Sequence, residues 1–207
     1  MEKFKTVFLV AGIFFFAISI LVMALLPWLS FRSQPIKKLP ELTQKMTRDF
    51  VDLSEKYPDT FKKHYGEVSS ESYAKALKKG RDIYIGEACW HCHSQYIRPV
   101  SNEDIRWGRV SEALEYQNVL QMPQMFGTRR VGPDLIREAG RRSNDWQVAH
   151  MWDPQSVVPS SVMPRYPWFF DKDGKLNDRG IAIITYLQWL GSWNEEVAAR
   201  TASGKGN

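Results

Sequence analysis

The chain has 207 residues, and its 28 Lys and Arg against 23 Asp and Glu give a formal charge of +5. A content of 43% apolar and 25% charged residues is a globular balance, which excludes wholesale disorder and a multi-span membrane protein. Two cysteines exclude a disulfide-rich scaffold, and the absence of a basic helix or an aromatic-interleaved basic stripe argues against a nucleic-acid partner.

From Thr6 to Phe31 no residue carries a charge. A helix over that run reaches ~39 Å at about 1.5 Å per residue, more than the ~30 Å of a bilayer core. Lys3 and Lys5 flank one end, Arg32, Lys37 and Lys38 the other, and Trp28 stands where an interfacial aromatic is expected. Pro27 is expected to mark the end of the span, because it cannot donate within a helix. A cleaved signal peptide is the rival reading. The apolar run is long for a signal core and no A-x-A-like site follows it, so residues 1–31 read as a transmembrane anchor in contact with membrane lipid. Charges at both ends leave its orientation open.

Residues 32–69 read as a linker followed by an amphipathic helix. Leu42, Met46, Phe50 and Leu53 recur at helical spacing and predict a helix over about 41–56, ended by Tyr57-Pro58. It could pack on the main domain or on a partner. His64 and Tyr65 read as surface residues. The main domain is expected over 70–200, with a polar tail at 201–207. A second helix is predicted over Ser70–Ile85, with Tyr73, Leu77 and Tyr84 apolar and Gly80 small. A third is predicted over Leu176–Trp189, with Asn177 as N-cap and Asp178 in the first turn. Between them lie Gly and Pro turn signals, with no run of alternating strands, so the fold class is all-α.

The chemistry sits at Cys89-Trp90-His91-Cys92-His93. C-x-x-C-H is the attachment signature of c-type haem: two thiols three positions apart can each reach one vinyl group on a porphyrin edge, and the next residue projects towards the iron. A C-x-x-C redox site would want a thioredoxin-like βαβ setting, and a zinc site a second ligand pair, where His64 and His150 are isolated. One covalent haem c is therefore expected, with His93 as an axial iron ligand. The second axial ligand lies among Met122, Met125, Met151 and Met163, with His150 behind them. Met163 is preferred, because Val162-Met163-Pro164 sits in a Pro-rich loop before the last helix, and an axial methionine raises the reduction potential. Trp90, Trp107, Trp146, Tyr166 and Trp168 read as packing around haem and core.

The helix with Gly80 and Tyr84, the C-x-x-C-H, Gly132-Pro133-Asp134-Leu135, Met163-Pro164 and the aromatic-rich last helix together resemble class I cytochrome c. The resemblance implies that Gly80 lets the first and last helices of the domain cross closely, with Tyr84 near Tyr186. It also implies that the carbonyl of Pro133 accepts from the other nitrogen of His93. A longer likeness covers most of the chain. Cys92-His93-Ser94-Gln95 running to Ile97-Arg98-Pro99, Arg130-x-Gly132-Pro133-Asp134-Leu135, Trp146 with His150, and Val157-Val158-Pro159 leading to Met163-Pro164-x-Tyr166-Pro167-Trp168 resemble the monohaem subunit II of cbb3-type cytochrome c oxidases.

That likeness implies an electron-transfer subunit, without a catalytic site of its own, of a haem-copper terminal oxidase. Electrons would pass from a dihaem or other cytochrome c donor towards the haems of catalytic subunit I. It also implies Arg98 and Arg130 as partners of the haem propionates, and a single-pass protein of the bacterial inner membrane with a cytoplasmic amino terminus and a periplasmic haem domain. Two departures stand out: Gln155 where Arg is expected, and Met122-Pro123 where His-Pro is expected. The small cytochrome subunit of a nitric oxide reductase and a membrane-anchored haem sensor are the alternative functions.

Overall fold

The computed structural model describes residues 2–193; the polar tail at 201–207 lies outside them. Two compact units divide the chain, residues 1–36 and 37–207.

The first unit is a helix over Glu2–Phe31, long and apolar enough to cross a membrane, with a mean hydropathy of 2.9 over its most apolar window. It consists of α1 (Glu2–Ile20), a π-helical turn at Leu21–Leu25 and α2 (Leu26–Phe31). Pro27 does not end it, contrary to expectation: the helix runs four residues further. A proline inside a helix removes one donor and crowds the carbonyl four residues back. The wider π turn directly before Pro27 relieves that crowding.

The second unit is all helix and turn among the described residues, with only isolated bridges at Lys37–Asn118 and Phe170–Leu176. Its frame is the crossing of α6 (Ser70–Gly86) and α11 (Asp178–Trp189). Both start on side-chain caps: Ser69 Oγ accepts from Ser72 N, and Asn177 Oδ1 from Arg179 N and Gly180 N. The helices touch because Gly80 has no side chain. A Cβ there would lie 2.6 Å from Tyr186 Cβ and closer still to the Ala182 carbonyl oxygen. One turn on, the rings of Tyr84 and Tyr186 meet at 5.5 Å.

The segment before α6 belongs to the same core. The helix predicted over 41–56 is broken into α3 (Leu39–Leu42) and α4 (Arg48–Lys56), followed by α5 (Pro58–Tyr65). Thr43 Oγ1 turns back to the carbonyls of Leu39 and Pro40, and Thr47 is extended. Such side-chain bonds compete with helix continuation. The apolar spacing survives the break. Phe50 and Leu53 are fully buried, and the Phe50 ring packs on Phe61 at 5.2 Å and Tyr73 at 4.8 Å. Each such ring contributes about 1.5–3 kcal/mol, which ties this segment firmly to α6. Tyr65 is buried too, not a surface residue, and its hydroxyl donates to the Asp178 carbonyl at 2.7 Å.

Candidate haem site

The C-x-x-C-H leaves α6 through a single sharp reversal. Ala88 takes a left-handed conformation with φ 56°, and Cys89–Cys92 forms one helical turn, α7. His93 closes it, its N–H donating to the Cys89 carbonyl at 2.9 Å.

Residues 128–135 run alongside and brace it. Arg129 N donates to His91 O at 2.9 Å, Gly132 N to Cys92 O at 3.1 Å and Leu135 N to Ser94 O at 2.9 Å. Asp134 locks the far end, accepting from Ser94 Oγ at 2.6 Å and Tyr96 N at 2.7 Å. Between these, His93 Nδ1 lies 2.9 Å from the Pro133 carbonyl oxygen. A carbonyl only accepts, so Nδ1 carries the hydrogen and Nε2 keeps its lone pair for a metal. Gly132 is what admits the ring: a Cβ there would lie 2.6 Å from Nδ1, 2.8 Å from Nε2 and closer to Cε1.

Cys89, Cys92 and His93 open onto a cavity of about 520 Å³, within the usual range for cofactor sites. Met163 lines the same cavity, delivered by the loop between α10 (Pro154–Val157) and the turn at Pro167–Phe169. Gln155, where arginine was expected, donates to the Ser161 carbonyl at 3.2 Å, and Ser161 Oγ accepts from Met163 N at 3.2 Å. Of the other methionines considered, Met151 also lines the cavity but is buried in the core, while Met122 and Met125 lie elsewhere.

Electrostatics separate the readings of the cysteine pair. Burial, helped by the Glu87 carboxylate, pushes the Cys89 thiol up to about 12. A redox-active C-x-x-C needs a thiolate at neutral pH, hence a depressed thiol. Burial also lowers His93, against the opposing bond to Pro133, and so keeps the imidazole neutral as a ligand must be. Neutral imidazole, paired thiols, a thioether and an apolar wall suit a haem.

The arginines divide differently from expectation. Arg98 and Arg130 are not on the cavity wall. Both converge on Glu103, in α8 (Glu103–Trp107), which is 2% exposed. Arg98 donates to it from its backbone N at 2.8 Å and Nε at 2.7 Å; Arg130 Nη2 reaches the same carboxylate and also Tyr96 O, at 2.7 Å. Burial alone would raise the Glu103 carboxyl, but these arginines outweigh it and hold it below the usual range. The arginines that do line the cavity are Arg106, Arg141 and Arg142, which the sequence reading did not single out. Their only sequence signal is position, beside Trp107 and just ahead of Trp146. His150, in α9 (Asn144–Trp152), stacks on Trp146 at 4.5 Å and lines the cavity as well. Burial first, then the neighbouring His93 and Arg142, lowers it to about 4, so it is neutral.

Residues 52–180 match the family described as cytochrome c oxidase, mono-heme subunit/FixO. The chain belongs to the FixO family. The matched stretch contains Cys89, Cys92, His93, Pro133 and Met163, and stops at the start of α11. FixO proteins are mono-haem subunits of cytochrome c oxidase, so this chain is a haem-bearing part of an oxidase complex with other subunits. No individual curated protein is matched.

Proposed function

We propose that this chain carries one haem c, bound covalently through Cys89 and Cys92, with His93 and Met163 as the axial ligands, and that it passes electrons to the catalytic haem-copper subunit. The donor would be a dihaem or other cytochrome c. The Glu2–Phe31 helix would anchor the protein in the bacterial inner membrane, amino terminus in the cytoplasm and haem domain in the periplasm, where thiols of c-type cytochromes receive their haem.

The observation that carries the reading is the His93 Nδ1–Pro133 bond beside two thiols on one cavity wall. When bound, haem supplies a one-electron iron couple. The residues do the rest. Pro133 fixes the imidazole and raises its basicity. Tyr84, Leu135, Ile183 and Leu187 wall off water. The Met163 thioether favours the reduced state. If His93 and Met163 both bound the iron, no position would stay open for a diffusible ligand, which would disfavour the sensor reading; the family match favours an oxidase over a nitric oxide reductase.

Covalency is checked by haem stain on a denaturing gel: the native chain should stain and Cys89→Ala/Cys92→Ala should not. Met163→Ala should let the ferrous protein bind carbon monoxide. It should also lower the reduced-to-oxidised ratio at a fixed poise at least tenfold, ~59 mV for one electron. An unchanged titration and spectrum would remove Met163 from the site. Copper in the purified complex would exclude the nitric oxide reductase.

A further inference from the structure

We propose that Glu103 is a positioning residue for the imidazole of His93: its carboxylate clamps together the two chain segments that carry the donor and the acceptor of the His93–Pro133 bond. The proposal rests on the haem reading above and gives Arg98 and Arg130 a role behind the ligand.

The bond joins residues 93–98, which leave α7, to residues 130–135. Neither segment lies in a helix or a strand, so their register depends on individual bonds. Glu103 belongs to neither and grips both. On the first, Arg98 donates to it from its backbone N at 2.8 Å and from Nε at 2.7 Å. On the second, Arg130 Nη2 reaches the same carboxylate and also donates to Tyr96 O at 2.7 Å. One guanidinium thus ties the second segment to Glu103 and to the first segment together.

Three features set this clamp apart from an ordinary surface pair. The first is burial. An exposed ion pair is worth little, but Glu103 is buried and the Arg130 side chain is only 10% exposed. The Arg98 side chain, 40% exposed, is the weaker arm. The second is saturation. Arg98 occupies Oε1, while the Arg98 backbone and Arg130 share Oε2. A glutamine offers one acceptor oxygen and two unwanted donors, so it cannot fill the role. The third is the backbone of Arg130, left-handed at φ 55°. A non-glycine residue keeps that conformation where its surroundings impose it. From this bend the chain runs through Gly132, bonded to Cys92 O, to the carbonyl that meets His93 Nδ1.

A closely held acceptor strengthens the Nδ1–H bond, raises the basicity of the ring and so favours ferric iron. Loosening the clamp should weaken that bond, free the Nδ1 proton to exchange and favour the reduced state.

The test uses the haem-loaded full chain in detergent, labelled with ¹⁵N-histidine. It reads deuterium exchange at His93 Nδ1–H and the reduced-to-oxidised ratio at a fixed poise. In Glu103→Gln and Glu103→Asp the exchange should be about tenfold faster, and the ratio should rise about threefold. The two variants separate position from field. Aspartate keeps the charge but falls one methylene short, so a charge acting only through space would leave Glu103→Asp native. Phe61→Leu is the stability control, because Phe61 packs on Phe50 and Tyr65 and not on either segment. Both shifts in Glu103→Asp support the proposal, even where Glu103→Gln does not accumulate. A native value of either quantity in Glu103→Asp, or exchange no faster than in Phe61→Leu at equal loss of stability, overturns it. In a chain that takes no haem stain the function proposed above fails, while exchange at His93 still decides whether Glu103 holds the ring.

Discussion

Gly132→Ala should leave the haem attached yet strip the iron of its imidazole. The added methyl falls among Nδ1, Nε2 and Cε1 of His93, with the nearer nitrogen at 2.6 Å. Neither side has room to yield. Gly132 N is bonded to Cys92 O, and the next carbonyl holds His93 Nδ1. Overpacking of this kind costs about 1–3 kcal/mol, and the softest response is rotation of the ring away from the iron. The two thiols are untouched, so the chain should still stain for haem on a denaturing gel while its low-spin spectrum is lost. A native-like spectrum would mean that residues 130–133 shift as a body and that Gly132 is dispensable.

Gly80→Ala should lower stability by about 3 kcal/mol, the upper end for overpacking. Propensity alone points the other way, since alanine is worth up to ~1 kcal/mol over glycine inside a helix. Contact decides the sign: the methyl would press on the backbone of Ala182 as well as Tyr186 Cβ, and a backbone carbonyl cannot rotate aside as a side chain can. For a domain of this size about 2–4 °C is lost per kcal/mol, so a melting point roughly 10 °C below the parent is expected. Gly86, at the end of the same helix, is the internal control. A Cβ there meets nothing within 4 Å, and Gly86→Ala should be neutral or stabilising.

What was legible in the sequence follows from how local each signal is. Asn177 announces α11 because a cap is a contact between near neighbours, and the Ser69 cap of α6, equally local, was there to be read. The C-x-x-C-H is legible for the same reason, being one helical turn. Apolar spacing found the buried faces of Phe50 and Leu53 but not the break at 43–47, since Leu42, Met46 and Phe50 keep the same spacing on either side of it. Pro27 misled because its cost depends on the turn before it, and a π turn leaves no mark in composition. The arginines were the hardest. Whether a guanidinium faces a cofactor or a carboxylate is decided by what lies across a fold, and Glu103 reaches Arg130 from 27 positions away. Tyr65 was misplaced likewise, since its partner Asp178 lies 113 positions on.

The seam at Lys37 sets where this protein can be shortened. Lys37 N donates to Gln117 O at 2.9 Å and Val119 N to Lys37 O at 3.1 Å, so the compact unit begins there and not at the cap of α6. A fragment cut at residue 36 keeps Phe50, Leu53 and Phe61 seated; one trimmed to the start of α6 discards them and opens a greasy trench along Tyr73 and Leu77. The stretch that looks like a tether is the keel of the second unit.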